Sequence, residues 1–559
     1  MKNKITHSIL LLAAMLQCLC GFSQQSHYYG FSGMQEVLNA RLYAYKARFH
    51  PDVQPYYQME FDSVGNFDSV FYYKIPKQTK FYKTTLTDNL IKYYDGDVFI
   101  AADPLLDAVG GYDISGKKAL FESGIGARLT ISLYKKVYIG GSIMYNQASF
   151  PQYIDDKITS GRAVPGHNYA YKSALGGYNY LDYDFYIAYN FYKYFTLEAG
   201  FGKNFWGDGY RSLFLSDAAY NYPYLKLSTN VWKIKLVNLY TNFKDMTGIY
   251  NTTKWKNMTN KFGAFHYLSW DISRRVNLGF FESIIWQAKT SGGSRGFDIA
   301  YLNPVIFLRP IEFQRGSPDN SLLGVSLRVK VGKKTSLYGQ LLIDDIIFGE
   351  VKKGIINRFK RIRHPEDNSL VYGFWTNKQA WQIGVRSYDM FKLKNLSALL
   401  EFNFARPYTY AHRIVTQNYG HYNQPLAHPG GANFMEASAF LRYNYHRWFF
   451  ELHANYTVTG LDSVNSDVGQ DIYKPAWDAY DASVGNVVLN PYFNEIAQGI
   501  KTRIGYYSLN VTYLLNPKNN MRLVLNYYYR HASSKLASQS ANVIQLGIKM
   551  SVPDRHFDY

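Results

Sequence analysis

The chain has 559 residues, 53 of them tyrosine, with 18% aromatic and only 18% charged side chains. Against the roughly 25% charged usual for soluble proteins, this composition points to an interface with something other than water. A formal net charge of +19 suits acidic partners, and an exported chain excludes nucleic acid among them.

Export is read from the first residues. Lys2 and Lys4 precede the apolar run Ile9–Leu16, and the small residues Gly21 and Ser23 lie just ahead of a cleavage point before Gln24. This is the pattern of a Sec signal peptide over 1–23. Cys18 and Cys20 fall inside it and neither follows the small residue a lipoprotein site requires, so the mature chain carries no cysteine. Disulfides, thiolate metal sites and cysteine nucleophiles are thereby excluded. Residues 24–96 are expected to form a periplasmic region, partly helical. Met34, Leu38, Leu42, Tyr45 and Phe49 recur at the spacing of an amphipathic helix packed at the periplasmic mouth.

No apolar stretch is long enough for a membrane helix, and what repeats instead is a hairpin. In "LDYDFYIAYNFYKYFTLEAGFG" Tyr183, Phe185, Ile187 and Tyr189 alternate with Asp182, Asp184, Tyr186 and Ala188. After a short turn Phe195, Leu197, Ala199 and Phe201 alternate with Thr196, Glu198, Gly200 and Gly202. Period two with one apolar face is the strand signal. Strands are expected near 97–106, 119–133, 137–147, 179–190, 195–204, 222–229, 232–243, 261–271, 275–287, 320–331, 335–346, 379–389, 395–405, 433–444, 448–459, 499–514, 521–531 and 541–551. Short basic turns such as Lys135–Lys136, Arg274–Arg275, Lys333–Lys334 and His446–Arg447 alternate with long loops rich in Tyr, Asn, Gly and Pro. The fold class is therefore all-β and transmembrane: an outer-membrane β-barrel of about 18 antiparallel strands over 97–551, with short periplasmic turns, long extracellular loops and a tail at 552–559. A soluble sandwich or propeller would alternate too, but the Tyr and Trp near strand ends suit the aromatic girdles of a bilayer.

The segments "FGKNFWGDGYRSLFLSDAAYNYPYLKL", "FHYLSWDISRRVNLGFFESIIW", "YLNPVIFLRPIEFQRGSPDNSLLG", "NKQAWQIGVRSYD" and "FARPYTYAHRIVTQNYGHYNQPLAHPGGANF" together resemble the gliding-motility family called RemB and, more distantly, the capsule-assembly family called Wzi. The resemblance covers most of the mature chain. It implies an outer-membrane barrel with periplasmic helices, a part in attaching capsular or exopolysaccharide to the cell surface, and a link to motility or secretion machinery.

Two loops carry the candidate glycan-binding residues. In the first, expected to face outward after strand 195–204, Trp206 and Tyr210 offer flat faces, Gly207 and Gly209 permit tight bends, and Asp208, Arg211 and Asp217 supply hydrogen-bonding forks. The competing reading pairs Asp208 and Arg211 with each other or with the strand walls, folding the loop inward as a plug. In the second loop Tyr408, Tyr410, His412, Tyr419, His421, Tyr422, Asn423 and His428 crowd together after a strand bearing Glu401. Loop packing through tyrosine hydroxyls is the alternative there, and the histidine spacings match no zinc pattern.

A third segment, around Val305–Leu308 between Pro304 and Pro310, is too apolar for water and is expected to constrict the lumen, with Arg309, Glu312, Arg315 and Asp319 as its polar contacts. The basic cluster Lys352, Lys353, Arg358, Lys360, Arg361 and Arg363 belongs to a long outward loop and suits an acidic polysaccharide or the phosphates of lipopolysaccharide and other outer-membrane lipid. No hydrolase or phosphate-loop motif occurs, so no catalytic residue, cofactor or metal is expected. A diffusion porin is the main alternative function, and a barrel hydrolase with a distributed Ser/Asp–His pair a lesser one.

Overall fold

A computed structural model describes residues 27, 31–44, 50–57, 79, 85–86, 88–174, 176–192, 194–246, 258–290, 292–305, 319–463, 466–475, 491–552, 554–555 and 557–559. Its main element is a closed antiparallel barrel of 18 strands. In chain order these are β1 (Val98–Asp113), β2 (Lys118–Leu133), β3 (Val137–Ser149), β4 (Tyr178–Phe191), β5 (Phe195–Gly202), β6 (Tyr222–Val231), β7 (Ile234–Asp245), β8 (Thr259–Asp271) and β9 (Val276–Gln287). They continue as β10 (Asn320–Val331), β11 (Thr335–Asp345), β12 (Lys378–Tyr388), β13 (Leu396–Ala405), β14 (Phe434–Tyr445), β15 (Trp448–Leu461), β16 (Ile500–Asn516), β17 (Met521–Ser533) and β18 (Ser538–Met550). Each pairs with its neighbour in sequence, and β18 closes on β1 from Val543↔Asp113 to Met550↔Leu106.

Alternation decides which side chains meet which medium. On β10 Leu323, Val325 and Leu327 point outward at 42, 41 and 45% exposure, while Ser326 and Arg328 point into the lumen at 4 and 3%. The same holds on β13, where Leu400 and Phe402 face out and Glu401 and Asn403 face in. An apolar outer belt with every interior strand paired is what a bilayer demands of a sheet.

β1 runs seven residues past its expected end near 106, through Pro104, Gly110 and Gly111. Proline and glycine normally end a strand, but here Pro104, opposite Ala127 of β2, leaves its other edge in the gap between the stretch paired with Ile91–Tyr94 and the stretch paired with β18.

Short connections gather at one end of the barrel: 134–136, 192–194, 232–233, 272–275, 332–334, 389–395, 446–447 and 517–520. The long ones leave the other end, 150–177, 203–221, 246–258, 288–319, 346–377, 406–433 and 462–499, where only the first and last hairpins turn tightly, at 114–117 and 534–537. Both termini approach the barrel from the short-turn end.

Helix α1 (Ser32–Ala44) lies inside that end, with Met34 and Leu38 buried. Tyr45 and Phe49, expected to extend its apolar face, lie outside the described residues, as does the signal peptide. Residues 50–57 follow α1 into the lumen, where Val53–Gln54 pair with Phe205–Trp206. The C-terminal tail turns back inward too: Asp554 meets Arg522 at 2.9 Å, and Arg555 meets Glu122 at 2.8 Å and Asp107 at 3.1 Å. Above them α2 (Gln152–Gly161), from the long-loop end, lays Tyr153, Ile154 and Ile158 on inward Tyr506 and Tyr528.

Candidate functional site

Loop 203–221 does not face outward as expected. It descends into the lumen, where Trp206, Leu213, Phe214 and Leu215 are fully buried. Trp206 stacks on Tyr267 with centroids 5.6 Å apart and meets Phe265 and Phe281 edge-on, so its face is spent on the wall and none remains for a sugar.

The polar groups of the loop are spent likewise. Asp208 pairs with Arg328 of β10 and accepts the Tyr43 hydroxyl of α1 at 2.9 Å. Arg211 reaches Asp558 at 2.8 Å and Glu436 at 3.4 Å. Burial alone would lower the Arg211 pKa, but the carboxylates of Asp558 and Glu436 reverse the shift and hold the guanidinium charged. Glu401 catches the backbone N–H of Tyr210 at 2.8 Å and of Arg211 at 3.1 Å, and Tyr210 gives its hydroxyl to Asp558 at 3.0 Å.

The two glycines serve this approach: a Cβ on Gly207 would meet the Gln340 amide at 2.6 Å, and one on Gly209 would overlap Glu401. The inward plug is thus the correct reading of Trp206, Asp208, Tyr210 and Arg211. Only Asp217 of that set is exposed.

Loop 406–433 is the lid over this plug. Tyr410 donates to the Leu213 carbonyl at 2.9 Å, Tyr419 to that of Phe214 at 2.7 Å, and Tyr408 to that of Asp467 at 2.9 Å. All three are buried, so their hydroxyls close loops rather than offer rings to a ligand. His412 turns onto its own backbone, and burial pushes its pKa down to about 4. His421 accepts the Lys244 N–H through Nδ1 at 2.9 Å and donates through Nε2 to the Asn221 carbonyl at 3.1 Å. Burial drives its pKa down to about 3. His428 supports Glu436 at 2.9 Å beneath the plug.

Tyr422 packs on Tyr220 at 5.3 Å, and Asn423 reaches the Gly161 carbonyl at 3.4 Å. Near Asn423, Gly166 binds Gln424 at 2.7 Å, and Lys203 binds the Gly166 and Asp217 carbonyls at 2.6 and 3.0 Å. Of the expected glycan set, Asp217 and Asn423 therefore stand at the long-loop rim near Lys203, while Tyr422 is buried against Tyr220.

The segment expected to constrict the lumen lies mostly outside the described residues. Arg309, Glu312 and Arg315 lie outside the described residues. The described part packs Phe297 and Tyr301 against Trp286, Ile284, Phe262 and Tyr240, all on the outward faces of β7–β9. Asp319, buried at the head of β10, fastens it by a bidentate bond to Arg295 at 2.6 and 2.8 Å and by the Tyr301 hydroxyl at 2.7 Å. Of the apolar run itself, Val305 is 55% exposed and 306–308 lie outside the described residues; the residues before it pack on the outer wall.

The basic cluster forms helix α3 (Phe348–Arg363) on the long-loop end. Among the described residues no group of three or more His, Cys, Asp and Glu side chains could hold a metal ion. His50 binds Ser269 at 2.8 Å and stands 4.0 Å from Asp271. Ser269 is fully buried, so no substrate reaches this trio.

Beside α1 the lumen keeps two cavities. One of about 530 Å³ lies between α1 and β14–β18, lined by Glu36, Arg442, Glu451 and Lys549. Another of about 480 Å³ follows the plug loop from Ser32 and Gln35 up to Pro165 and Asp217. Sequence reading missed the wall partners Arg328 and Glu436, for which alternation showed only that polar side chains face inward, and the tail partner Asp558.

No protein-family model and no curated protein matches the chain. Among solved structures it is similar to Wzi of Escherichia coli, described as an outer-membrane protein involved in group 1 capsule assembly and a carbohydrate-binding β-barrel. The TM-score is 0.54 at 11% identity, over 96% of this chain and 100% of that one. This likeness shows a shared fold. OprD of Pseudomonas aeruginosa superposes at 0.40 with 9% identity over 80 and 94% of the two chains, and OccK1 of the same organism at 0.42 with 8% identity over 81 and 98%; both are too distant to carry an argument.

Proposed function

We propose that this chain resides in a bacterial outer membrane, long loops outward, and handles or anchors surface polysaccharide at its outer face without catalysing a reaction. The observation that carries this reading is the plug. Loop 203–221 is fastened to β10, β13 and β14 and to both terminal segments through Asp208 and Arg211. A barrel so filled is poorly built for diffusion, which moves its work to the rim. The fold shared with a carbohydrate-binding capsule barrel supports the same partner, and the RemB resemblance adds the link to gliding motility.

The rim group Lys203, Asp217 and Asn423 is the surface proposed to meet the polymer. Planar-bilayer recordings of the intact protein should show little steady ion flow; a large open conductance would favour the porin. A deletion strain complemented with Lys203→Ala, Asp217→Ala and Asn423→Ala together should retain less labelled surface polysaccharide and spread less. Unchanged retention in well-assembled, heat-modifiable barrels would reject these residues as the binding surface.

A further inference from the structure

Helix α3 is amphipathic the wrong way round for a protein surface. At about 100° per residue, Phe348, Ile355, Phe359 and Ile362 share one stripe, and they are 73, 56, 70 and 75% exposed. On the opposite side Asn357 is buried and donates to the Val371 carbonyl at 2.8 Å, and Gly354 rests against Tyr372 and Gly373. The helix therefore shows its polar side to the protein and its apolar side away from it. Left in water, large apolar side chains lose the gain of burial.

The charges are sorted as well. Arg358 pairs with Glu495 at 3.2 Å, and Arg361 lies over the Phe493 ring at 4.7 Å. Lys352, Lys360 and Arg363 flank the apolar stripe, exposed and with no ion-pair partner among the described residues. Three cations bordering four apolar side chains match a surface that is anionic at its head and hydrocarbon beneath.

Depth agrees. α3 begins three residues after β11 ends at Asp345, so the chain can lift it no more than ~10 Å above the sheet. Trp381, 43% exposed on the outer face of β12 and stacked on Phe404, marks the interfacial level near that end.

We propose that α3 lies in the plane of the outer leaflet and docks on lipopolysaccharide, with Phe348, Ile355, Phe359 and Ile362 in the acyl region and Lys352, Lys360 and Arg363 on the glycolipid phosphates. A free acidic polysaccharide would satisfy the cations but offers no hydrocarbon to the stripe. The docking rests on the bilayer placement proposed above.

The test uses the full chain, refolded with Cys18→Ser and Cys20→Ser, carrying an environment-sensitive dye on Phe359→Cys or, as control on the same end, on Lys535→Cys. In vesicles of phosphatidylcholine with lipid A, the dye at 359 should shift to the blue and be quenched severalfold more by nitroxide lipids than the dye at 535. Adding Lys352→Gln, Lys360→Gln and Arg363→Gln should remove most of the excess over pure phosphatidylcholine vesicles. Equal quenching with and without lipid A would overturn phosphate recognition. A dye already shielded in detergent, or shielded by added acidic polysaccharide instead of lipid, would overturn lipid docking. Heat modifiability in the same vesicles reports barrel insertion separately; its absence would bring down the bilayer placement, and the docking with it.

Discussion

Loops 203–221 and 346–377 leave the same end of the barrel, and both are rich in aromatic or apolar residues mixed with charge, yet one dives into the lumen and the other stays outside. The difference lies in the partners waiting for them. Loop 203–221 finds an inward arginine, Arg328, for Asp208 and the carboxylates of Glu436 and Asp558 for Arg211, with Tyr267, Phe265 and Phe281 as a socket for Trp206. The six cations of α3 meet one nearby carboxylate, Glu495. A buried charge is tolerated only when paired and hydrogen-bonded. The lumen offers such partners to both charges of loop 203–221, so composition alone does not decide which way a loop folds.

The comparison breaks most sharply at the plug. Arg211→Ala leaves Glu436 and Asp558 buried without their cation, which should cost on the order of 3–5 kcal/mol. The variant should lose its heat-modifiable form at a lower temperature, and the molecules that do assemble should conduct in planar bilayers; a silent, fully stable R211A would mean the plug is held elsewhere. Trp206→Ala empties the aromatic socket and should cost about 3–5 kcal/mol in urea refolding. It should not change polysaccharide retention in barrels that still assemble, because its ring never reaches the rim.

Acid should weaken the lid next. The His421 pKa is pushed from 6.5 down to about 3 in the folded chain, so the unfolded chain takes up the proton first. The stability that His421 contributes is complete above pH 6.5 and falls by up to ~1.4 kcal/mol per unit as the pH drops toward the folded value. Protonation also turns Nδ1 from acceptor to donor against the Lys244 N–H. Faster proteolysis of loop 406–433 at pH 5 than at pH 7.5, relieved in His421→Gln, would check this. The smallest effect belongs to the outer loop: Glu495→Gln removes a pair whose two side chains are half or more exposed and should change stability by ~0–1 kcal/mol.

How much of this was legible in the sequence follows the range of the interactions. All eighteen strands could be placed from period two, because a strand in a barrel has one neighbour medium per face and each face is written into adjacent residues. The outward Leu323, Val325 and Leu327 and the inward Ser326 and Arg328 are such a case. The inward plug could be read only as an alternative, and its distant partners not at all. Arg211 and Asp558 stand 347 positions apart, and Asp208 and Arg328 stand 120 apart, so no local pattern distinguishes a loop that has such partners from one that lacks them. α3 was a nearer miss. Its charges drew attention to a basic loop, while Phe348, Ile355, Phe359 and Ile362 carried the helical spacing that would have named the element and its apolar side.

The contacts of Asp208 and Arg211 join segments that enter the barrel from opposite mouths. Tyr43 and Asp558 arrive from the short-turn end, the loop from the other, and they meet at 2.9 and 2.8 Å. With the membrane between those mouths, the fastening has one half mounted in each compartment. Neither half completes it alone, and the tail can take its seat only after the last strand has been made. Each terminal segment thus stands one hydrogen bond from a loop whose residues Lys203 and Asp217 lie at the opposite mouth.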